Sequence, residues 1–273
     1  MTSSSATPQT HRRTSGTNTL ILLTVKVENG QTDLGLFKGA ELLGTWSATT
    51  NEFNTPDELA LMVHSFLSMR GLPRPQDSIL GSVVPSLTGA WVIALRDMIG
   101  KKPLVIGPGV KTGLAMDYKD PAQVGADRVA CCTGAKAIYG PSTIVADFST
   151  ATTISVIGDK GSFLGGAIAP GIRLSVEALY DSSAQLADIS RQPVQKIIGR
   201  TTSESVRSGV YFGETARVDG LIRGMWLELG YQTQLVATGR FAEKISALSS
   251  LDFQLSKDLP HLGMRAIYVL NRG

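Results

Sequence analysis

A three-strand meander followed by helices and further strands is written into this sequence twice, from about residue 19 and again from about residue 143. The first copy uses residues 19–27, residues 32–38 and "ELLGTWSAT"; the second uses "STIVADF", "ATTISVIG" and "GSFLGGAIAPGI". Alternating side chains with turn-forming residues between them specify antiparallel neighbours. Strand–helix alternation after each meander adds parallel strands, the pattern of an α/β fold. Each meander opens with an apolar strand that runs into a turn rich in small polar residues. The 273 residues suffice for two domains of ordinary size. The expectation is two α/β domains of like topology facing each other across a cleft, a common place for a ligand. Their expected spans are 19–140 and 141–255, with a disordered tail over 1–18 and a C-terminal helix over 256–273 packing back on the body.

Local signals place the helices. In "NTPDELALMVHSFLSMRG", Thr55 is an N-cap, Pro56 lies in the first turn, Glu58 completes a capping box and Gly71 ends the helix. A second capped helix is expected to start at Asp120, with Pro121 first and Gln123 third, and to run through "VGADRVACCTGAKAIYG". Further helices are expected at "PSLTGAWVIALRDMIG", "RLSVEALYDSSAQL" and "SESVRSGVYFGETARVDGLIRGMWLELG", and strands at "SILGSVV", "PLVIG" and "QLVATG".

Composition excludes several function classes. The net charge is +3, and Arg12 and Arg13 of the tail supply two of those charges. No basic block with interleaved aromatics exists, so nucleic-acid binding is not expected. Cys131 and Cys132 are adjacent and lack partners at metal-ligand spacing; they read as small helix residues in a reducing, cytoplasmic compartment. Residues 1–18 are polar and free of acids, a composition that cannot bury enough apolar surface to fold. "HRR" before "LILLTV" imitates a signal peptide but lacks a cleavage site. No apolar run reaches membrane-spanning length.

Four segments carry candidate chemistry. "ADFSTATTISV" ends a strand on Asp147 and follows it with Ser149, Thr150, Thr152 and Thr153. Backbone N–H groups and hydroxyls in such a turn can cup a phosphate, or the hydroxyls can satisfy their own backbone. "GADRV" sets Asp127 and Arg128 on a helix of small residues, as an internal pair or as a general base with room for a substrate. "IGPGVKTGL" has Lys-Thr after glycines but fails the P-loop spacing and reads as a rigid loop. "LGGAIAPG" is a bend that admits close backbone approach.

In this order, "GPGVKTGL", "DPAQVGADRV", "VADFSTATT", "FLGGAIAPGI", "IIGRTTSESVRSG" with "VDGLI", and "ATGR" resemble the type III pantothenate kinases of the actin/hexokinase-like superfamily. The likeness covers nearly the whole chain from residue 20. It implies two RNase-H-like domains, a homodimer, and transfer of the ATP γ-phosphate to pantothenate, the first step toward coenzyme A. It also implies a divalent metal, Mg²⁺, and a monovalent cation, K⁺ or NH₄⁺. By the resemblance, Asp127 is the base that takes the pantothenate hydroxyl proton. Tyr118, Gly125, Ala126 and Arg128 join it in substrate binding, with Thr202 from the partner-facing region. Asp147 is the cation ligand and Thr150 an ATP-phosphate contact.

The departures concern the nucleotide side. The family's first phosphate loop reads D-x-G-N-T. In the gapless register its Asp falls on Lys26, its Gly on Glu28 and its Thr on Gly30, and "LGLF" stays aligned. A register shifted by two puts Glu28, Gly30 and Thr32 in those roles. The candidate ATP loop is therefore Lys26, Val27, Glu28, Asn29, Gly30, Gln31, Thr32 and Asp33. Ser149 stands where the family has glycine, and the T-G-G adenosine motif reads Thr238-Gly239-Arg240. The expected function is pantothenate kinase. The alternative is an impaired pseudokinase that binds a pantothenate-like or nucleotide ligand in a regulatory role.

Overall fold

A computed structural model describes residues 19–182 and 196–272, without the side chain of Tyr180. The tail and the end of the "RLSVEALYDSSAQL" helix lie outside the described residues. The first meander is β1 (Ile21–Val27), β2 (Gln31–Lys38) and β3 (Glu41–Thr49). It is followed by α1 (Pro56–Met69), β4 (Asp77–Ser82), α2 (Pro85–Ile99) and β5 (Leu104–Val105). Next come β6 (Ala115–Met116) and α3 (Ala126–Tyr139). The second meander is β7 (Thr143–Phe148), β8 (Ala151–Ile157) and β9 (Ser162–Pro170). The chain continues through α4 (Ile172–Ser182), α5 (Thr202–Leu229), β10 (Gln234–Thr238), α6 (Ala242–Leu248), β11 (Gln254–Leu255) and α7 (Leu259–Arg272).

The recurrence holds in three dimensions. The first sheet runs β3-β2-β1-β4-β5, the second β11-β10-β7-β8-β9-β6. In each, the first meander strand is central, antiparallel to its hairpin partner and parallel to a strand that arrives after a helix. The α1 capping box forms as its sequence specifies, with Thr55 accepting from the Glu58 N–H and Glu58 accepting from the Thr55 N–H at 2.7 Å. Gly100 ends α2 in the left-handed region at φ 81°.

The helix expected from Asp120 is corrected. Asp120 caps only a single 3₁₀ turn, Pro121–Gln123, through a bond from the Ala122 N–H. Val124 and Gly125 are extended, and α3 begins at Ala126. A Cβ on Gly125 would collide with the Asp127 carboxylate and sit 3.3 Å from Val83. The break thus places Asp127 in the first turn of its own helix rather than in mid-helix.

The helices α3 and α7 lie between the sheets. One apolar cluster joins them to Leu22, Phe37 and Ile79 of the first sheet and to Val145, Ile157 and Val236 of the second. The outer face of the first sheet packs on α1 and α2, that of the second on helices α4 to α6. The C-terminal helix is also fastened by polar contacts: Tyr268 Oη donates to Asp77 at 2.9 Å, and Arg272 Nη1 lies 3.0 Å from the same carboxylate. Residues on α3 and on the first strands of both sheets therefore share one rigid frame.

Candidate active site

Strand parity builds the first wall of the cleft. Ile21, Leu23, Val25 and Val27 enter the core beneath α1 and α2. The alternate residues of β1 therefore face α7 and the cleft. Thr24 meets His261 Nδ1 of α7 at 2.7 Å. Lys26 and Glu28 continue that row. The β1–β2 ladder sets Lys26 opposite Asp33. Lys26 Nζ lies 3.2 Å from Glu28 and 3.3 Å from Asp33, and the residue is only 3% exposed. Burial alone would lower the lysine pKa; Asp147, Glu28 and Asp33 outweigh it and hold the ammonium well above its ordinary value. Glu28 is pushed up to about 8 by burial, with Asp147 and Asp127 adding and Lys26 opposing. Burial also works against the Asp33 carboxylate, but Lys26 and bonds from Ser47 and Gln31, both 2.6 Å, lower its pKa.

The opposite wall comes from the equivalent strand of the second sheet. Asp147 near the end of β7 accepts from Ser149 Oγ at 2.5 Å and faces Cys131 Sγ at 3.8 Å. Gly239, at φ 90°, backs against it; any side chain there would strike the Asp147 carboxylate. The two meander turns meet tip to tip. A Cβ on Gly30 would lie 2.8 Å from Thr150 Oγ1 and 3.2 Å from Arg173 Nη2. Between the walls is a cavity of about 610 Å³, lined in part by Lys26, Glu28, Gly30, Thr150, Arg173 and Arg240. Cations and hydroxyls from both loops around one hollow suit a polyphosphate.

A second cluster lies at the N-terminus of α3. Asp127 accepts the Arg128 N–H, and burial, with Asp147 adding, raises its carboxyl above the ordinary aspartate value. Arg128 is buried: Nε donates to Ser155 Oγ at 3.1 Å, and its guanidinium lies 5.1 Å from the Phe163 ring centroid. Its Nη2 is buried with no hydrogen-bond partner among the described residues. Tyr118 packs edge-on against Phe163 at 5.6 Å and over Gly165. A buried, half-satisfied guanidinium beside a carboxylate of raised pKa can bind an anion and accept a proton.

Comparison with known proteins decides the family. The family profile described as "Type III pantothenate kinase" matches residues 22–224. The type III pantothenate kinase of Syntrophotalea carbinolica is 37% identical over 257 residues, covering 93% of this chain and 100% of that protein. The Acidobacterium capsulatum protein of the same name is 38% identical, covering 94% and 92%. This chain belongs to the type III pantothenate kinase family. Its fold matches the solved ROK hexokinase of Thermus thermophilus with a TM-score of 0.52 at 12% identity, covering 92% of this chain and 98% of that one. The two-sheet body is thus the actin/hexokinase-like fold that the resemblance implied.

Within this kinase-family chain, the candidate residues are distributed as follows. Tyr118, Gly125, Ala126, Asp127 and Arg128 gather at the start of α3. Lys26, Glu28, Gly30, Gln31, Asp33 and Thr150 line the cleft. Val27 belongs to the core, Asn29 is exposed, and Thr32 bonds to Thr50 at 2.9 Å. The turn occupies Glu28 to Gly30, which both registers include, and both Lys26 and Glu28 line the cleft. Thr202 is exposed on the first turn of α5, whose N-cap is Thr201. Arg173 and His261 also line the cleft, and motif reasoning missed both. Arg173 follows the "APGI" bend, where Gly171 packs under the Ser149 and Thr150 carbonyls, and its Nε lies 3.1 Å from Glu177.

The donor set does not fit a cation held by the protein between the two strands. Among the described residues no three His, Cys, Asp or Glu side chains group to hold a metal ion. The Lys26 ammonium sits beside Glu28 and Asp33, and Asp147 is its strongest favourable charge neighbour. No helix among the described residues is long and apolar enough to cross a membrane.

Proposed function

We propose that this chain transfers the γ-phosphate of ATP to the primary hydroxyl of pantothenate, in the cytoplasm and as a homodimer, with residues 19–140 and 141–255 as its two lobes. ATP enters as its Mg²⁺ complex, with the ion carried by the nucleotide as part of the substrate. Phosphoryl transfer asks the protein mainly for positioning and charge neutralisation. The cleft loops would supply both, with Thr150, Gly30, Arg173 and Lys26 around the phosphates. The hydroxyl oxygen forms the new bond to phosphorus as the bond to the ADP oxygen breaks, and the hydroxyl proton passes to Asp127. Arg128 Nη2 would take the pantothenate carboxylate, and Tyr118 would flank the chain of the substrate. Thr202, exposed in one subunit, would reach the substrate of the partner.

The observation that carries this reading is Asp127 itself. It is a carboxyl group of raised pKa in the first turn of α3, within electrostatic reach of Asp147 and Lys26 and next to a buried guanidinium whose Nη2 has no hydrogen-bond partner among the described residues. No observation favours the alternative of a ligand-binding chain without turnover.

The test is Asp127→Asn. Loss of a positioned base lowers kcat by about 10²–10⁴-fold, with pantothenate affinity largely kept. In the wild-type chain the base must be ionised, so kcat/KM rises with pH on a limb above the ordinary aspartate range. Undiminished turnover by the variant would remove Asp127 from the mechanism.

A further inference from the structure

We propose that the Lys26 ammonium is the resident monovalent cation of the phosphate site, so that this chain neither binds nor needs an added K⁺ or NH₄⁺ ion beside Asp147. The inference rests on the kinase reading and specifies what its active site contains.

The seat of the ammonium is built, not incidental. Lysine is almost never fully buried unless paired. Here the strand supplies both partners, Glu28 two residues on and Asp33 directly across the ladder. Removing the ammonium would leave the half-buried Asp33 carboxylate and the buried Glu28 without the positive charge they both pair with. The flanking acids are also committed. Asp33 accepts from Gln31 and Ser47 on Oδ1 and pairs with Lys26 on Oδ2. Asp147 has Ser149 on Oδ1 and Cys131 on Oδ2. An inorganic cation placed here would share its carboxylate oxygens with those donors and meet a fixed positive charge alongside, which repels it strongly in a low-dielectric site.

The geometry also gives the lysine a use. An ammonium has three donors. Glu28 and Asp33 take two, and Lys26 lines the cleft, so the third is left for a phosphate oxygen. Two acids at positions 26 and 147 would together demand a cation; a lysine and an acid neutralise each other without one. The substitution that most threatened a metal-assisted loop thereby becomes its replacement.

The test uses the purified full chain with Mg²⁺ in choline chloride and in KCl or NH₄Cl at equal ionic strength. ADP binding is measured by calorimetry, and pantothenate phosphorylation is followed in parallel. The expected result is a change of less than about twofold in affinity and rate between salts, while Lys26→Met weakens ADP binding by about tenfold or more, the scale of one charged hydrogen bond, and becomes responsive to K⁺. A tenfold or larger gain by the wild-type chain on adding K⁺ or NH₄⁺ overturns the inference. So does a folded Lys26→Met chain that binds ADP like wild type; if that variant does not fold, the salt comparison on the wild type decides alone. Absence of turnover in every salt refutes the kinase reading instead, and the binding comparison still decides this one. Absence of ADP binding in every salt refutes both.

Discussion

Substituting Gly263 by alanine should cost both stability and turnover, because α3 and α7 touch backbone to backbone. A Cβ at Gly263 would overlap the Ala130 carbonyl and lie 2.8 Å from the Gly134 nitrogen. The relation is mutual: a Cβ at Gly134 would lie 2.6 Å from the Leu259 carbonyl oxygen and 3.1 Å from the Gly263 nitrogen. Neither obstacle can rotate away, so the helices must separate. Overpacking of this kind costs about 1–3 kcal/mol, and a backbone obstacle puts it near the top of that range. The better helix propensity of alanine returns about 1 kcal/mol. The net loss is about 2 kcal/mol, or roughly 4–8 °C in Tm for a chain of this size. The same separation shifts α3, whose first turn carries Asp127, and a displacement of about 1 Å at a reacting group can cost about 100-fold in rate. Gly89→Ala is the control. Gly89 is exposed in α2 with nothing within 4 Å of its added Cβ, so alanine there should stabilise by about 0.5–1 kcal/mol. Calorimetric melting and initial rates of pantothenate phosphorylation read out both variants. A Gly263→Ala chain that melts at or above wild type, as the control should, would refute the close crossing.

Two further outcomes follow from the cleft. Gly30→Ala puts a methyl group against Thr150 Oγ1 and Arg173; the KM for ATP should rise about tenfold, roughly 1.4 kcal/mol, while the melting temperature barely moves. His261 has its pKa lowered to about 4, chiefly by burial, with Asp33 opposing and Lys26 adding. The unfolded chain therefore binds the extra proton between about pH 6.5 and about 4, and stability should fall as the pH drops through that window, by up to about 3 kcal/mol. Urea midpoints at pH 7 and 4.5 should show a smaller drop for His261→Gln than for wild type.

Much of this architecture is local and was therefore legible in the chain. Both meanders, the Thr55–Glu58 cap and the Gly71 stop of α1 depend on neighbours a few residues apart, and each formed where its residues specify. Parity is local too, so Lys26 and Glu28 had to share a face of β1 once Val25 and Val27 were apolar. The start of α3 was misread for the opposite reason. Asp120, Pro121 and Gln123 do form a capped turn, but a cap says only that a helical turn begins. The extended Val124 and Gly125, with the Asp127 carboxylate and Val83 both crowding the Cβ position of Gly125, decide where it stops.

The sequence by itself determined the family, the two-lobed α/β plan and the residue types of the substrate run. Only the tertiary structure decided that Lys26, paired with Glu28 and Asp33, stands near Asp147 of the other sheet, that Arg173 closes on Gly30, and that Thr202 is exposed in the first turn of α5. The physical reason is range. Capping and strand parity act between near neighbours in the chain, whereas charge pairing in a buried cleft depends on through-space distances. The approaches of Lys26 to Asp147 and of Arg173 to Gly30 join residues more than a hundred positions apart, and the packing of two sheets around α3 and α7 sets them.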